Sequence, residues 1–201
     1  MKKFIKVILI VLLIIALLLA GVLYLLIGTT EQIKTDITQY KEDLQEIGNA
    51  AVYMPDLELL GNYTGIDYRY KTKCYSPLLG FFSDAFALFV TYNDSQYNIY
   101  KNRALSDYTF LQQPIKRSAD TYELPITEFS YKGYEIKIVP DKEYIDFCAC
   151  KSFMMIGCND EASTIVYMYY YDFDIDYIAQ EGEDFEEEMC ELINEAFSWS
   201  H

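Results

Sequence analysis

Three aspartates stand at alternate positions, Asp172, Asp174 and Asp176, in the run Tyr-Asp-Phe-Asp-Ile-Asp. Carboxylate oxygens are the ligands that a hard divalent cation takes. Continuing the count puts Glu183 at the twelfth position, as in the calcium loop of an EF-hand. That loop takes glycine at its sixth position for a sharp turn, where this chain has Tyr177. Phe173 and Ile175 alternate with the aspartates, as on a strand with one solvated face. A divalent cation held by Asp172, Asp174 and Asp176 is one candidate. An acidic sheet face or helix-entry turn is the plainer expectation.

Five cysteines follow a different logic: Cys74, Cys148, Cys150, Cys158 and Cys190. Their odd number leaves at least one thiol unpaired within the chain. On a strand, Cys148 and Cys150 point the same way with Cα atoms about 6.5–7 Å apart. That is the edge of disulfide reach. Cys158 falls in Gly157-Cys158-Asn159-Asp160, which reads as a hairpin turn, so register decides whether it meets the other two. A zinc site commonly draws on C-x-x-C pairs and histidines. Here there is no such pair, and the only histidine is His201. Cys148, Cys150 and Cys158 are the candidate disulfide or redox-responsive set, with inert buried thiols as the larger expectation.

The chain carries 20 tyrosines and 12 phenylalanines against one tryptophan. In Tyr167-Met-Tyr-Tyr-Tyr171, Tyr167, Tyr169 and Tyr171 share one strand face, and Met168 and Tyr170 share the other. Tyr167, Tyr169 and Tyr171 form a candidate aromatic binding face, because flat rings with a polar tip suit recognition surfaces. Strands favour tyrosine in any case, so a sheet core with hydroxyls reaching the rim is the simpler expectation. No nucleophile elbow, phosphate loop, dinucleotide fingerprint or zinc-protease motif occurs. The balance leans away from an enzyme. A hydrolase working through paired carboxylates is kept as a further alternative.

What positions these groups begins with Val7–Ile27, 21 residues without a charge, preceded by Lys2, Lys3 and Lys6. As a helix this run spans roughly 30 Å, the thickness of a bilayer's hydrocarbon core. The stretch exceeds the 7–15 apolar residues typical of a cleaved signal, and Leu18 occupies the position where a cut after Ala20 wants a small residue. An uncleaved single-pass anchor is therefore expected, with secretion after cleavage as the alternative. The flanking lysines place the N-terminus in the cytoplasm and the rest outside. Tyr24 suits the interfacial aromatic belt.

Of the 16 basic residues, three precede the apolar run; the remaining 13 face 31 acidic ones, a net of −18. That field repels nucleic acid and anionic polymers. The expected partners are the lipid bilayer, through residues 7–27, and a protein or envelope component. No cofactor is expected beyond the candidate divalent cation.

Periodicity supplies the elements. Ile33, Ile37, Tyr40, Leu44 and Ile47 recur at helical spacing, which predicts a helix over Thr30–Ala50 as a stalk or a packed helix. Ile66–Thr72 and Ala85–Tyr92 read as strands, and Asn93-Asp94-Ser95 caps a helix carrying Tyr97, Tyr100, Ala104 and Tyr108. Residues Gln112–Thr127 read as loop. Tyr134–Ile138 ends at Pro140-Asp141, and Tyr144–Ile156 and Thr164–Tyr171 are further strands. Asp184–Phe197 is amphipathic and closes the chain as a helix. The fold class is α+β: an N-terminal transmembrane helix, then one domain with a largely antiparallel sheet of about five strands and helices on one face. The expected division is 1–6 cytoplasmic, 7–27 anchor, 28–50 stalk or packed helix, and 51–201 the extracytoplasmic domain.

Overall fold

A computed structural model describes residues 2–46, 53–78, 80–107, 116–117, 120–121, 126–145, 148–174 and 193–194. Helix α1 covers Lys2–Ile27, and two residues later the chain enters strand β1, Thr30–Lys34. After a single 3-10 turn at Ile37–Gln39 comes the short helix α2, Tyr40–Glu46. Strands β2 (Gly65–Ser76) and β3 (Phe81–Thr91) form a long hairpin, followed by helix α3, Asp94–Asp107. Two-residue strands β4 (Lys116–Arg117) and β5 (Asp120–Thr121) pair with each other, apart from the main sheet among the described residues. Strands β6 (Thr127–Tyr131), β7 (Tyr134–Ile145), β8 (Cys148–Asn159) and β9 (Thr164–Asp174) complete the described strands.

The main sheet runs β1-β2-β3-β9-β8-β7-β6, with every neighbour antiparallel. Two meanders, β1–β3 and β6–β9, thus meet where β9 pairs along β3 from Phe82↔Phe173 to Thr91↔Thr164. The α+β class and the antiparallel sheet agree with the sequence, but there are seven strands and not about five. One uncounted strand is β6, where Thr127, Phe129 and Tyr131 alternate with Glu128 and Ser130. It turns into β7 through Lys132 and Gly133, both at positive φ (51° and 81°), the two-residue turn that matches strand twist.

The other uncounted strand is β1, and it replaces the first part of the expected helix over Thr30–Ala50. Its five residues pair with β2 from Thr30↔Cys74 to Lys34↔Tyr70. Ile33, which seemed to begin a helical stripe, is 47% exposed. Among the described residues of that stripe, Tyr40 and Leu44 are buried, on α2. The sheet edge satisfies the backbone of residues 30–34, which outweighs a weak helical preference. Pro140 does not end β7, which continues to Ile145 with Pro140 opposite Phe153. The described pairing of β6 with β7 runs from Tyr131↔Tyr134 to Thr127↔Ile138, so Pro140 lies beyond that ladder, where its missing N–H breaks no described pair.

Strand alternation buries both faces of the sheet. One face holds Tyr68, Tyr70, Phe86, Leu88, Val90, Met154, Ile156, Ile165, Tyr167 and Tyr169, and α2 and α3 cover it through Tyr40, Leu44, Tyr97 and Ala104. The other face holds Ala85, Ala87, Ile136, Ile138, Phe153, Met155, Val166, Met168 and Tyr170, and includes Ile193. Ile193 and Asn194 are the described part of the expected closing helix. Helices packed on one face is therefore the arrangement of α2 and α3, while Ile193 packs on the opposite side. Gly157 permits close strand approach on this second face, because an added Cβ would press on Val166 Cγ1 at 2.7 Å.

Candidate functional site at the helix–sheet junction

The last turn of α1 is where the two parts of the molecule touch. A helix leaves its final carbonyls without intrahelical partners. Here the Gly28 amide donates to Tyr24 O at 2.6 Å, and the Leu78 amide, from the β2–β3 turn, donates to Leu25 O at 2.9 Å. The Ser76 hydroxyl also reaches Leu25 O, at 3.4 Å. The sheet hairpin thus caps the helix. Residue 28 has to be glycine for this exit, since a Cβ there would collide with the Tyr24 carbonyl and ring. Gly80 closes the turn at φ 72°, with its amide donating to Ser76 O at 2.9 Å.

Aromatic rings cluster at this end of the sheet. Phe82 packs against Tyr171 and Phe173, with centroids 5.7 and 6.3 Å apart, and Phe81 packs against Phe173 at 5.6 Å. Within α1, no residue of the span Ile8–Leu26 is buried against protein, and that span is long and apolar enough to cross a membrane.

A second feature runs through the whole sheet: tyrosine hydroxyls donate to aspartates. Tyr68 Oη donates to Asp43 Oδ2 at 2.8 Å, Tyr70 Oη to Asp84 Oδ1 at 3.2 Å, and Tyr170 Oη to Asp172 Oδ2 at 3.0 Å, all buried. Tyr97 Oη donates to Asp160 Oδ1 at 2.7 Å at the far end. Asp43 also accepts from Lys34 Nζ at 2.6 Å, and that bond raises the lysine's pKa. Lys34 Nζ lies 5.1 Å from the centroid of the Tyr70 ring, which itself stacks on Phe86 at 4.3 Å.

Burial, followed by the neighbouring carboxylates, pushes the Tyr68, Tyr70 and Tyr97 hydroxyls well above the usual phenol range. Burial pushes Tyr92 up to about 12. These phenols stay protonated as hydrogen-bond donors, which is structural work. Burial likewise raises the Asp84 carboxyl. Bonds from Lys101 and then Tyr97 lower that of exposed Asp160.

Asp172 is buried beneath Tyr170, on the face shared with Met168, so it does not lie on a solvated acidic face. Asp174 ends β9 opposite Ala149, and Asp176 lies outside the described residues. Among the described residues no three His, Cys, Asp or Glu side chains converge as a metal site requires. Cys148 and Cys150 belong to β8, opposite Ile145 and Glu143. Cys158 lies within the same strand and not in a turn, which falls at 160–163. Eight residues of extended strand separate Cys158 from Cys150, roughly 26 Å, so the two cannot bridge within one chain. Cys158 is a free, buried thiol, pushed up to about 11 by that burial.

Tyr167, Tyr169 and Tyr171 do share a face, but Tyr167 and Tyr169 are buried there, and Tyr53 stacks on Tyr169 at 5.8 Å. Tyr171 is the partly exposed member, packed on Phe82. Sequence reasoning missed the junction residues Gly28, Ser76 and Leu78. The signal available was the apolar turn Pro77-Leu78-Leu79 in a hairpin that would ordinarily be polar. No protein-family model matches the chain, and no curated protein and no solved structure matches it either.

Proposed function

We propose that this chain is a single-pass membrane protein, with its N-terminus cytoplasmic and its sheet domain outside. There it serves as a non-enzymatic module that binds another protein or envelope component. One observation carries the reading: a bare apolar helix is joined to the sheet by a two-residue connection and capped by the sheet's own hairpin. Such a junction holds a domain against a surface. The lysines at positions 2, 3 and 6 support the orientation. The absence of nucleophile motifs and the use of buried carboxylates as tyrosine acceptors favour binding over turnover.

The test uses intact cells carrying the full chain. Alkaline carbonate is expected to leave it in the membrane pellet, and external protease is expected to digest the sheet domain. Recovery in the soluble fraction contradicts the anchor, and protection from external protease contradicts the orientation. In-cell photocrosslinking from an exposed residue such as Ile99 is expected to give one defined adduct.

Cation binding through Asp172, Asp174 and Asp176, or thiol chemistry, is a weaker reading, because Asp172 is committed to Tyr170. A melting midpoint raised by calcium or zinc and restored by chelator would revive it. Two exposed carboxylates facing each other across a cleft would do the same for a hydrolase.

A further inference from the structure

We infer that the β2–β3 turn is seated in the interface of the same bilayer that α1 crosses, with Leu78 at the edge of the hydrocarbon and Phe82 at headgroup level. The inference rests on the membrane reading of α1 and adds a second, independent contact with lipid.

Depth comes first. The span Ile8–Leu26 has 19 residues. At 1.5 Å per residue that is about 28 Å, against a hydrocarbon core of about 30 Å. Leu25 therefore lies at the boundary. The Leu78 amide is 2.9 Å from the Leu25 carbonyl, so the backbone of the turn sits at that same level. A helix-terminal carbonyl at this depth finds little water, and the hairpin supplies its donors.

Side-chain chemistry agrees with the depth. Between Ser76 and Gly80 the turn reads Pro-Leu-Leu, with no polar side chain. Leu78 is 56% exposed and Phe82 36%, and Tyr24 on the last turns of α1 is exposed too. Phe82 leads into Phe173 and Tyr171, a belt of rings of the kind favoured at headgroup level. Lys73, just above the turn, lies over the Tyr75 ring at 4.7 Å and suits the same zone. At the opposite end of the sheet the β3–α3, β6–β7 and β8–β9 connections are mostly polar, Asn93-Asp94-Ser95, Lys132-Gly133 and Asp160-Glu161-Ala162-Ser163, while the connection into β2 exposes Leu59 and Tyr63. Among the described hairpin turns, the apolar one lies where the membrane helix ends and the two polar ones, β6–β7 and β8–β9, lie away from it.

The test places single tryptophans in the full chain, with Trp199→Phe removing the native one. The protein is reconstituted in phosphatidylcholine vesicles brominated near the top of the acyl chains. Leu17→Trp reports on the helix, Leu78→Trp and Phe82→Trp on the hairpin, and Ile99→Trp on helix α3. Emission at positions 17 and 78 is expected to fall to roughly half or less, with weaker quenching at 82 and none at 99.

Quenching at 17 without quenching at 78 and 82 overturns the seating and leaves the anchor standing, as a protein partner on the turn would predict. Equal quenching at 78 and 99 also overturns it, since the domain would then lie on lipid without preference. No quenching at 17 removes the membrane reading itself, and the seating with it. Position 82 reports independently should tryptophan at 78 disturb the turn.

Discussion

The part of the sheet joined to α1 and its far end are made from the same residue types, used oppositely. On the joined side the turn carries Pro77 and Leu78, and the carboxylates Asp43, Asp84 and Asp172 are buried under tyrosine hydroxyls. At the far end the described hairpin turns are polar, and Asp160, its side chain 67% exposed, pairs with Lys101 and Tyr97 near the surface. The contrast teaches how a strongly acidic chain keeps its sheet compact. At each of these sites a tyrosine hydroxyl donates to the carboxylate, so the buried oxygen is hydrogen-bonded. Asp43 also has a cation bonded to it, Lys34 of β1. That bond ties the strand leading out of α1 to helix α2.

Asp43→Ala should have the largest effect on this contrast. It leaves the buried Tyr68 hydroxyl without its acceptor and Lys34 without its closest carboxylate. A loss of about 3 kcal/mol is expected from the unfolding of the full chain in nanodiscs. Asp160→Ala at the exposed end should cost only about 0.5 kcal/mol. Equal losses would erase the distinction between the two regions.

Gly28→Ala comes next. Its Cβ has no room beside the Tyr24 carbonyl, so either the helix exit or the hairpin cap must shift, at a cost of about 1–3 kcal/mol. Hydrogen exchange should quicken first in residues 28–34 and 76–80. A variant as stable and as slowly exchanging as the parent would show that the exit tolerates a side chain.

The pH pair is smaller in size and sharper in sign. Burial raises the Asp84 carboxyl, so the folded state holds that proton more tightly than the unfolded state does. Its contribution falls as pH rises from about 4 through the folded value. Asp160 is lowered, so its contribution is complete above about 4 and is lost as pH falls through its folded value. Relative to the parent, Asp84→Asn should therefore gain stability as pH rises from about 4 through the folded value. Asp160→Asn should lose stability relative to the parent as pH rises toward about 4 from below, with no further change above it. Denaturant titrations at several pH values give both slopes, and slopes of the same sign would contradict the pairing chemistry.

How much of this was legible in the sequence depended on whether neighbours along the chain decide the outcome. The apolar run Val7–Ile27, the alternation in β2 and β9 and the Asn93 cap of α3 are local, and all three were readable. Strand β1 was not, because the Ile33–Leu44 spacing suited a helix and only the distant edge of β2 makes residues 30–34 extended. The burial of Asp172 was hidden for a related reason. Alternation says which residues share a face, but a sheet covered on both sides has no solvated face to assign. Cys158 was misplaced because Gly157-Cys158-Asn159 resembles a turn, while Gly157 in fact allows Val166 to come close. The junction itself depends on a hydrogen bond between residues far apart in sequence, Leu78 and Leu25, which no local pattern encodes.

Amide exchange at Leu78, followed in the full chain embedded in lipid nanodiscs, tests the coupling of helix and sheet most directly. A capped helix end predicts that this turn amide exchanges as slowly as the ladder amides of β2 and β3. Exchange at the rate of an open loop, with residues 8–26 still protected, would contradict it and leave the sheet merely tethered to its helix.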